Sequence, residues 1–212
     1  MNPLSYASTQ GGGQAVARMP FEISCSTRPC VGQIECSVRC GWWATSFRVV
    51  MALTDGLGQG PEAAYAAEVA MACIGAGLER PFEEIFTACG ARLQGSRGVA
   101  LAVAVVDLDC RKLTVASVGH ICAVLLKEKE EHHLRNTRGI VGGQCDQLMP
   151  QTKMLSPDDV LVLFSDGLND FFPLCETFAR VPPFSRDHAR VVLDRWARVD
   201  EAAAVLAYRH VA

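Results

Sequence analysis

A chain of 212 residues, 50% apolar and 20% charged, can bury a substantial core and reads as one soluble globular domain. A formal net charge of -3, with no basic stretch interleaved with aromatics, excludes an electrostatic nucleic-acid binder, and no apolar run approaches the ~20 residues that cross a bilayer. The start (MNPLSYASTQGGGQ) has neither the basic nor the apolar region of a signal peptide, so residues 1–18 are expected to be a flexible lead-in. A cytoplasmic location with ten reduced cysteines is the matching expectation.

Residues 21–26 (FEISCS) alternate as a strand, and residues 34–38 predict a second, with Pro29 and Gly32 marking the turn between them. Cys25, Cys30, Cys36 and Cys40 crowd together, but none of the spacings is Cys-x-x-Cys, so a zinc site is not supported. Trp42 and Trp43 must face opposite sides of a strand, one packing inward and the other covering an edge or a cleft. Residues 48–54 predict a central buried strand that delivers Asp55 to a glycine turn, Gly56, Gly58 and Gly60. Pro61 then opens an alanine-rich helix over 62–75, and a second helix is predicted over 81–94.

The period then turns extended. Residues 98–107 (GVALAVAVVD) predict a strand buried on both faces, and 113–118 and 121–127 continue the sheet around Gly119-His120. The charge run 127–131 (KEKEE) reads as an exposed hairpin tip with His132 and His133 solvated beside it, and 139–143 (GIVGG) as a turn or loop. A short strand over 151–155 leads through a proline turn to residues 160–165 (VLVLFS), a second buried strand that ends at an acid and a glycine, Asp166-Gly167. Residues 168–178 are expected to be partly helical, 186–198 an amphipathic helix, and 203–209 a last strand preceded by Asp200-Glu201.

Three aspartates, Asp55, Asp166 and Asp200, thus stand at strand ends or starts. Hard divalent cations such as magnesium and manganese take oxygen ligands of this kind, and a pair of them can clamp a phosphate and activate a water without any side-chain nucleophile. Asp-Gly is also a common turn dipeptide, and spacing alone leaves the metal site and the plain turn both open. The glycines 56, 58 and 60 lack the Gly-x-Gly-x-x-Gly spacing of a dinucleotide site.

In order along the chain, LTDGLGQGPEAAYAAEVA (53–70), SRGVALAVAVVDL (96–108), LTVASVGHICAVLL (113–126), GIVGG (139–143), LSPDDVLVLFSDGLND (155–170) and VDEAAAVLAY (199–208) resemble the bacterial PPM-type (type 2C-like) serine/threonine phosphatases. The RsbX-like branch is the nearest in pattern, with SpoIIE and RsbU phosphatase domains as more distant relatives. The resemblance implies an α+β fold, a four-layer α-β-β-α sandwich of two antiparallel sheets flanked by helices, as a single domain over 19–212. It implies two manganese or magnesium ions, with Asp55, the carbonyl of Gly56, Asp166 and Asp200 as ligands and a metal-activated water as the attacking group. The substrates it implies are phosphorylated regulatory proteins of the stressosome scaffold or anti-sigma antagonist type, with no nucleic acid or membrane involved. Arg97-Gly98 matches an Arg-Gly pair of RsbX-like proteins, and Gly119-His120 matches a structural turn near their site. One departure stands out: Gly41-Trp42 occupies the place where relatives carry Gly-Asp. The alternative it suggests is a pseudophosphatase, a phosphoprotein-binding module with weak or no turnover.

Overall fold

The structure, a computed structural model, describes residues 19–128, 130–169, 172–178 and 184–211. The lead-in expected over 1–18 and Asp170 of the 155–170 motif lie outside the described residues. One sheet has the order β1 (Phe21–Arg28), β11 (Ala203–His210), β10 (Val160–Phe164), β6 (Cys122–Lys127), β7 (Glu130–His133). The other runs β2 (Val38–Ala44), β3 (Arg48–Gly56), β4 (Val99–Asp107), β5 (Lys112–Val118), β8 (Asn136–Thr137), with β9 (Gln151–Met154) also paired to β5. Every pairing is antiparallel except the two-residue β5–β8 contact.

Period-two alternation builds the layers. On β3, Val49, Met51 and Leu53 face the other sheet while Val50 and Ala52 face helices α1 (Pro61–Gly75) and α2 (Phe82–Arg92). On β10 and β11, Leu161, Leu163, Leu206 and Tyr208 point into the inter-sheet core, and Val160, Val162, Val205 and Ala207 meet α3 (Leu174–Phe178) and α4 (His188–Trp196). The strands are nearly all apolar because both faces are covered, and the four-layer α-β-β-α sandwich follows. Alanines at 63, 64, 66, 67 and 70 are buried on α1 and let that helix lie close on β3, where the Thr54 hydroxyl donates to the Ala67 carbonyl at 3.4 Å.

The first hairpin departs from expectation. The strand predicted over 34–38 begins only at Val38 and runs to Ala44, because residues 38–44 are those that pair with β3 across a tight turn closed by Thr45 N–H to the Arg48 carbonyl, 2.8 Å. Ile34 is fully exposed in the preceding loop. Trp42 enters the inter-sheet core edge-on to Phe21, ring centroids 6.1 Å apart, whereas Trp43 packs under α1 against Gly75.

Candidate metal centre

One edge of the sandwich collects the ends of both sheets. β3 ends there at Asp55 and Gly56, paired to Ala100 and Val99 at the start of β4, so β5 must end there too. Gly119-His120 then carries the chain from β5 in one sheet to β6 in the other. β6 begins opposite the end of β10, which leads into Asp166.

Local bonds fix the backbone that presents each side chain. The Gly56 N–H donates to the Ser37 carbonyl at 3.0 Å, and the Ser37 hydroxyl lies 3.5 Å from Asp55 Oδ1. Gly56 itself is a close-approach glycine: a Cβ there would sit 1.9 Å from the Ala63 carbonyl oxygen on α1. Before Asp166, Ser165 is pinned to β11 by its N–H to the Ala204 carbonyl (3.1 Å) and by the Ala204 N–H to its hydroxyl (3.0 Å). Gly119 has φ 87° and is backed by Ala100, and Asn136 Nδ2 donates to its carbonyl, so the turn presenting His120 is held from both sides.

The result is a group of three in which His120 Nε2 lies 3.4 Å from Asp55 Oδ2 and 3.9 Å from Asp166 Oδ2, with all three ligand atoms within 4.8 Å of one another. The hydrogen bond with Asp55 raises the His120 pKa above 6.5; burial opposes this, and the charges of Asp166, Asp55 and Glu201 support it. Asp166 is also raised, by desolvation first and by the Asp55 charge, against the pull of His120; with a side chain more than half exposed, the effect is modest.

A cleft of about 210 Å³ opens over this group, lined by Glu35, Asp55, Asp166 and Glu201 together with His120, and by no lysine or arginine among the described residues. Four carboxylates facing one cleft repel a phosphate unless a cation intervenes. The Asp55 and Asp166 carboxylate oxygens, within 4.8 Å of each other, are hard donors that suit a divalent ion, so the residues present fit the metal that the resemblance implies.

The structure brings Asp55 and Asp166 together but not Asp200. Asp200 is exposed, and its backbone carbonyl accepts from the Cys30 thiol at 3.1 Å. Its neighbour Glu201 lines the cleft instead, paired to Arg198 at 3.2 Å. His120, expected only as a structural turn, is the residue that sequence reasoning underrated. Its signal was topological: two strands of known length return the chain to the edge where β3 ends.

The Gly41-Trp42 departure dissolves on register. Trp42 pairs with Met51, whereas the partner of Asp55 is Val38. Beside Asp55 stand Ser37 and, in the cleft, Glu35, so Trp42 takes the place of no cleft residue.

The sequence profile of the stage II sporulation protein E (SpoIIE) family matches residues 45–190. A search of curated protein sequences gave no match. Among solved structures, a chain from work on the bacterial stressosome, "a modular system that has been adapted to control secondary messenger signaling", is 29% identical with TM-score 0.84, covering 89% of this chain and 99% of that one. RsbX in complex with magnesium is 16% identical with TM-score 0.81, covering 92% and 98%. The catalytic domain of the serine/threonine phosphatase PstP in complex with two manganese ions is 14% identical with TM-score 0.69, covering 91% and 99%.

Proposed function

This chain belongs to the SpoIIE family of PPM-type bacterial phosphatases, and from that membership we propose that it is a metal-dependent hydrolase removing phosphate from serine or threonine of a regulatory protein in a stress-signalling assembly. The observation that carries the reading is the acidic cleft: Glu35, Asp55, Asp166 and Glu201 converge with no lysine or arginine among them, a lining that a phosphate ester enters only alongside divalent cations.

Asp55, at the junction of both sheets, and Asp166 would hold manganese or magnesium, one ion or two, with the Gly56 carbonyl beside them and Asp200 or Glu201 completing the set from the turn before β11. A bound ion of this kind supplies Lewis-acid charge to the phosphoryl oxygens and lowers the pKa of a coordinated water. The remaining work falls to the chain. Ser37 orients the Asp55 carboxylate, the Ser165–Ala204 bonds fix the backbone that presents Asp166, and His120 holds a proton at Nε2 between the two carboxylates. A proton in that position can be passed to the departing seryl or threonyl oxygen.

A protein substrate is supported by the rim of the cleft. Val31, Ile34 and Val199, 70%, 100% and 67% exposed, border the lining residues Cys30, Gln33, Glu35 and Glu201. The stressosome-derived chain and RsbX among the relatives favour a partner of the stressosome scaffold or anti-sigma antagonist type. No described helix is long and apolar enough to cross a membrane, and the proposed setting is the cytoplasm. The pseudophosphatase alternative rested on Trp42 replacing an acid, and the register removes that support.

The test is manganese-dependent hydrolysis of p-nitrophenyl phosphate by purified protein. Activity is expected with manganese, lost on chelation and reduced at least about a thousandfold in Asp55→Ala. A protein that binds manganese but hydrolyses neither this ester nor a phosphoserine peptide would overturn the proposal.

A further inference from the structure

Arg97 is the motif residue for which the metal centre gives no role. It lies on the loop between α2 and β4, and its backbone is held on both sides: the Ser96 hydroxyl donates to the Leu93 carbonyl (2.6 Å) and accepts from the Gly98 N–H (3.1 Å), while the Gly98 carbonyl accepts from Leu57 N–H at 3.1 Å. The last bond ties the arginine's loop directly to the glycine turn that follows Asp55.

The side chain then crosses Gly58. An ideal Cβ position on that glycine falls 2.5 Å from Arg97 Nη1 and 3.4 Å from Cζ, which places the guanidinium directly against Gly58. Gly58 lines the cleft that holds Asp55, His120 and Asp166. Arg97 is exposed and takes part in none of the ion pairs formed among the described residues, although four carboxylates lie in the adjoining cleft. A guanidinium seated at the lip of an acidic cleft, rather than paired inside it, keeps its donor fork free.

We propose that Arg97 is the phosphate-binding residue of this site, its guanidinium donating to non-bridging oxygens of the phosphoserine or phosphothreonine group, or of released inorganic phosphate, at the Gly58 lip of the cleft. The inference rests on the phosphatase reading. The chemistry is specific: a planar fork of N–H donors matches two phosphate oxygens at once, whereas a lysine offers a point charge.

The experiment uses manganese-loaded protein and two readouts, calorimetric binding of inorganic phosphate and steady-state kinetics on p-nitrophenyl phosphate. In Arg97→Ala, phosphate binding is expected to weaken about ten- to hundredfold, the range for losing hydrogen bonds to a charged group. KM should rise to match, with kcat within about threefold and both the melting temperature and manganese affinity unchanged. Arg97→Lys should recover part of the phosphate affinity and Arg97→Gln less. Equal phosphate affinity and equal KM in an active, folded Arg97→Ala protein would overturn the role of Arg97 and leave the phosphatase reading intact. Wild-type protein that binds phosphate through Arg97 yet turns over no ester would overturn the phosphatase reading and leave the binding role standing.

Discussion

Replacing Gly56 by alanine tests whether close packing between β3 and α1 builds the centre. Gly56 does not occupy the left-handed region, so its identity is not a matter of backbone freedom. The added Cβ would meet the Ala63 carbonyl oxygen at 1.9 Å, its carbon at 2.6 Å and its Cα at 2.9 Å, all backbone atoms that cannot rotate away. Restoring ordinary contact requires the first turn of α1 to retreat by about 1.5 Å, yet Ala63, Ala64, Ala66 and Ala67 are packed there. Overpacking of this kind costs about 1–3 kcal/mol, and the upper end applies where backbone must move. For a chain of this size that lowers the melting temperature by roughly 2–12 °C. The same displacement moves the Asp55–Gly56 junction, so manganese affinity should fall at least about tenfold. Thermal unfolding followed by circular dichroism and calorimetric manganese titration measure the two effects. Gly143→Ala, where the nearest atom is 3.7 Å away, is the control and should shift neither. A Gly56→Ala protein that melts within about 1 °C of the parent and binds manganese as tightly would refute the packing argument.

At Gly90, inside α2 and 3.9 Å from its nearest neighbour, alanine should instead stabilise by about 0.5–1 kcal/mol, read from urea midpoints; a loss of stability there would contradict the helix as described. His210 is buried with its Nδ1 3.1 Å from the Tyr208 hydroxyl, and burial, aided by the Arg111 charge, holds its pKa below 6.5. With the folded pKa depressed, the unfolded chain takes up the proton first, so stability present above about pH 6.5 is lost as pH falls toward the folded value. The unfolding free energy of His210→Gln should therefore fall less than wild type between about pH 7.5 and 5.5, and parallel slopes would exclude this residue as a source of the loss. Trp42→Asp, which restores the acid of the family pattern, should cost about 3 kcal/mol or more and give no gain in manganese affinity; tighter manganese binding would mean that position 42 does face the metal.

What the sequence could and could not show follows from which forces act locally. The runs at 49–53, 99–106 and 160–163 announce buried strands because both faces are covered, and an acid ending such a run, Asp55 or Asp166, is conspicuous for the same reason. Pairing register is not local. The turn at 45–47 sets which β2 residue lies across from Asp55, and it is too short to bring position 42 there; motif matching alone placed Trp42 at the site. The acids before β11 pose a similar one-residue problem, since in a turn nothing in the sequence says whether Asp200 or Glu201 points into the cleft, and the structure turns Glu201 that way. His120 depends on the longest-range fact of all. In antiparallel sheets every second connection returns to the same edge, so β3, β5 and β10 all end where the two sheets meet. The chain crosses between sheets at Gly119-His120, and the crossing residue stands between the carboxylate of one sheet and that of the other. The geometry of the cleft is thus a consequence of topology: acid-tipped strands of different sheets meet His120 because the Gly119-His120 turn crosses between the sheets at the acidic edge.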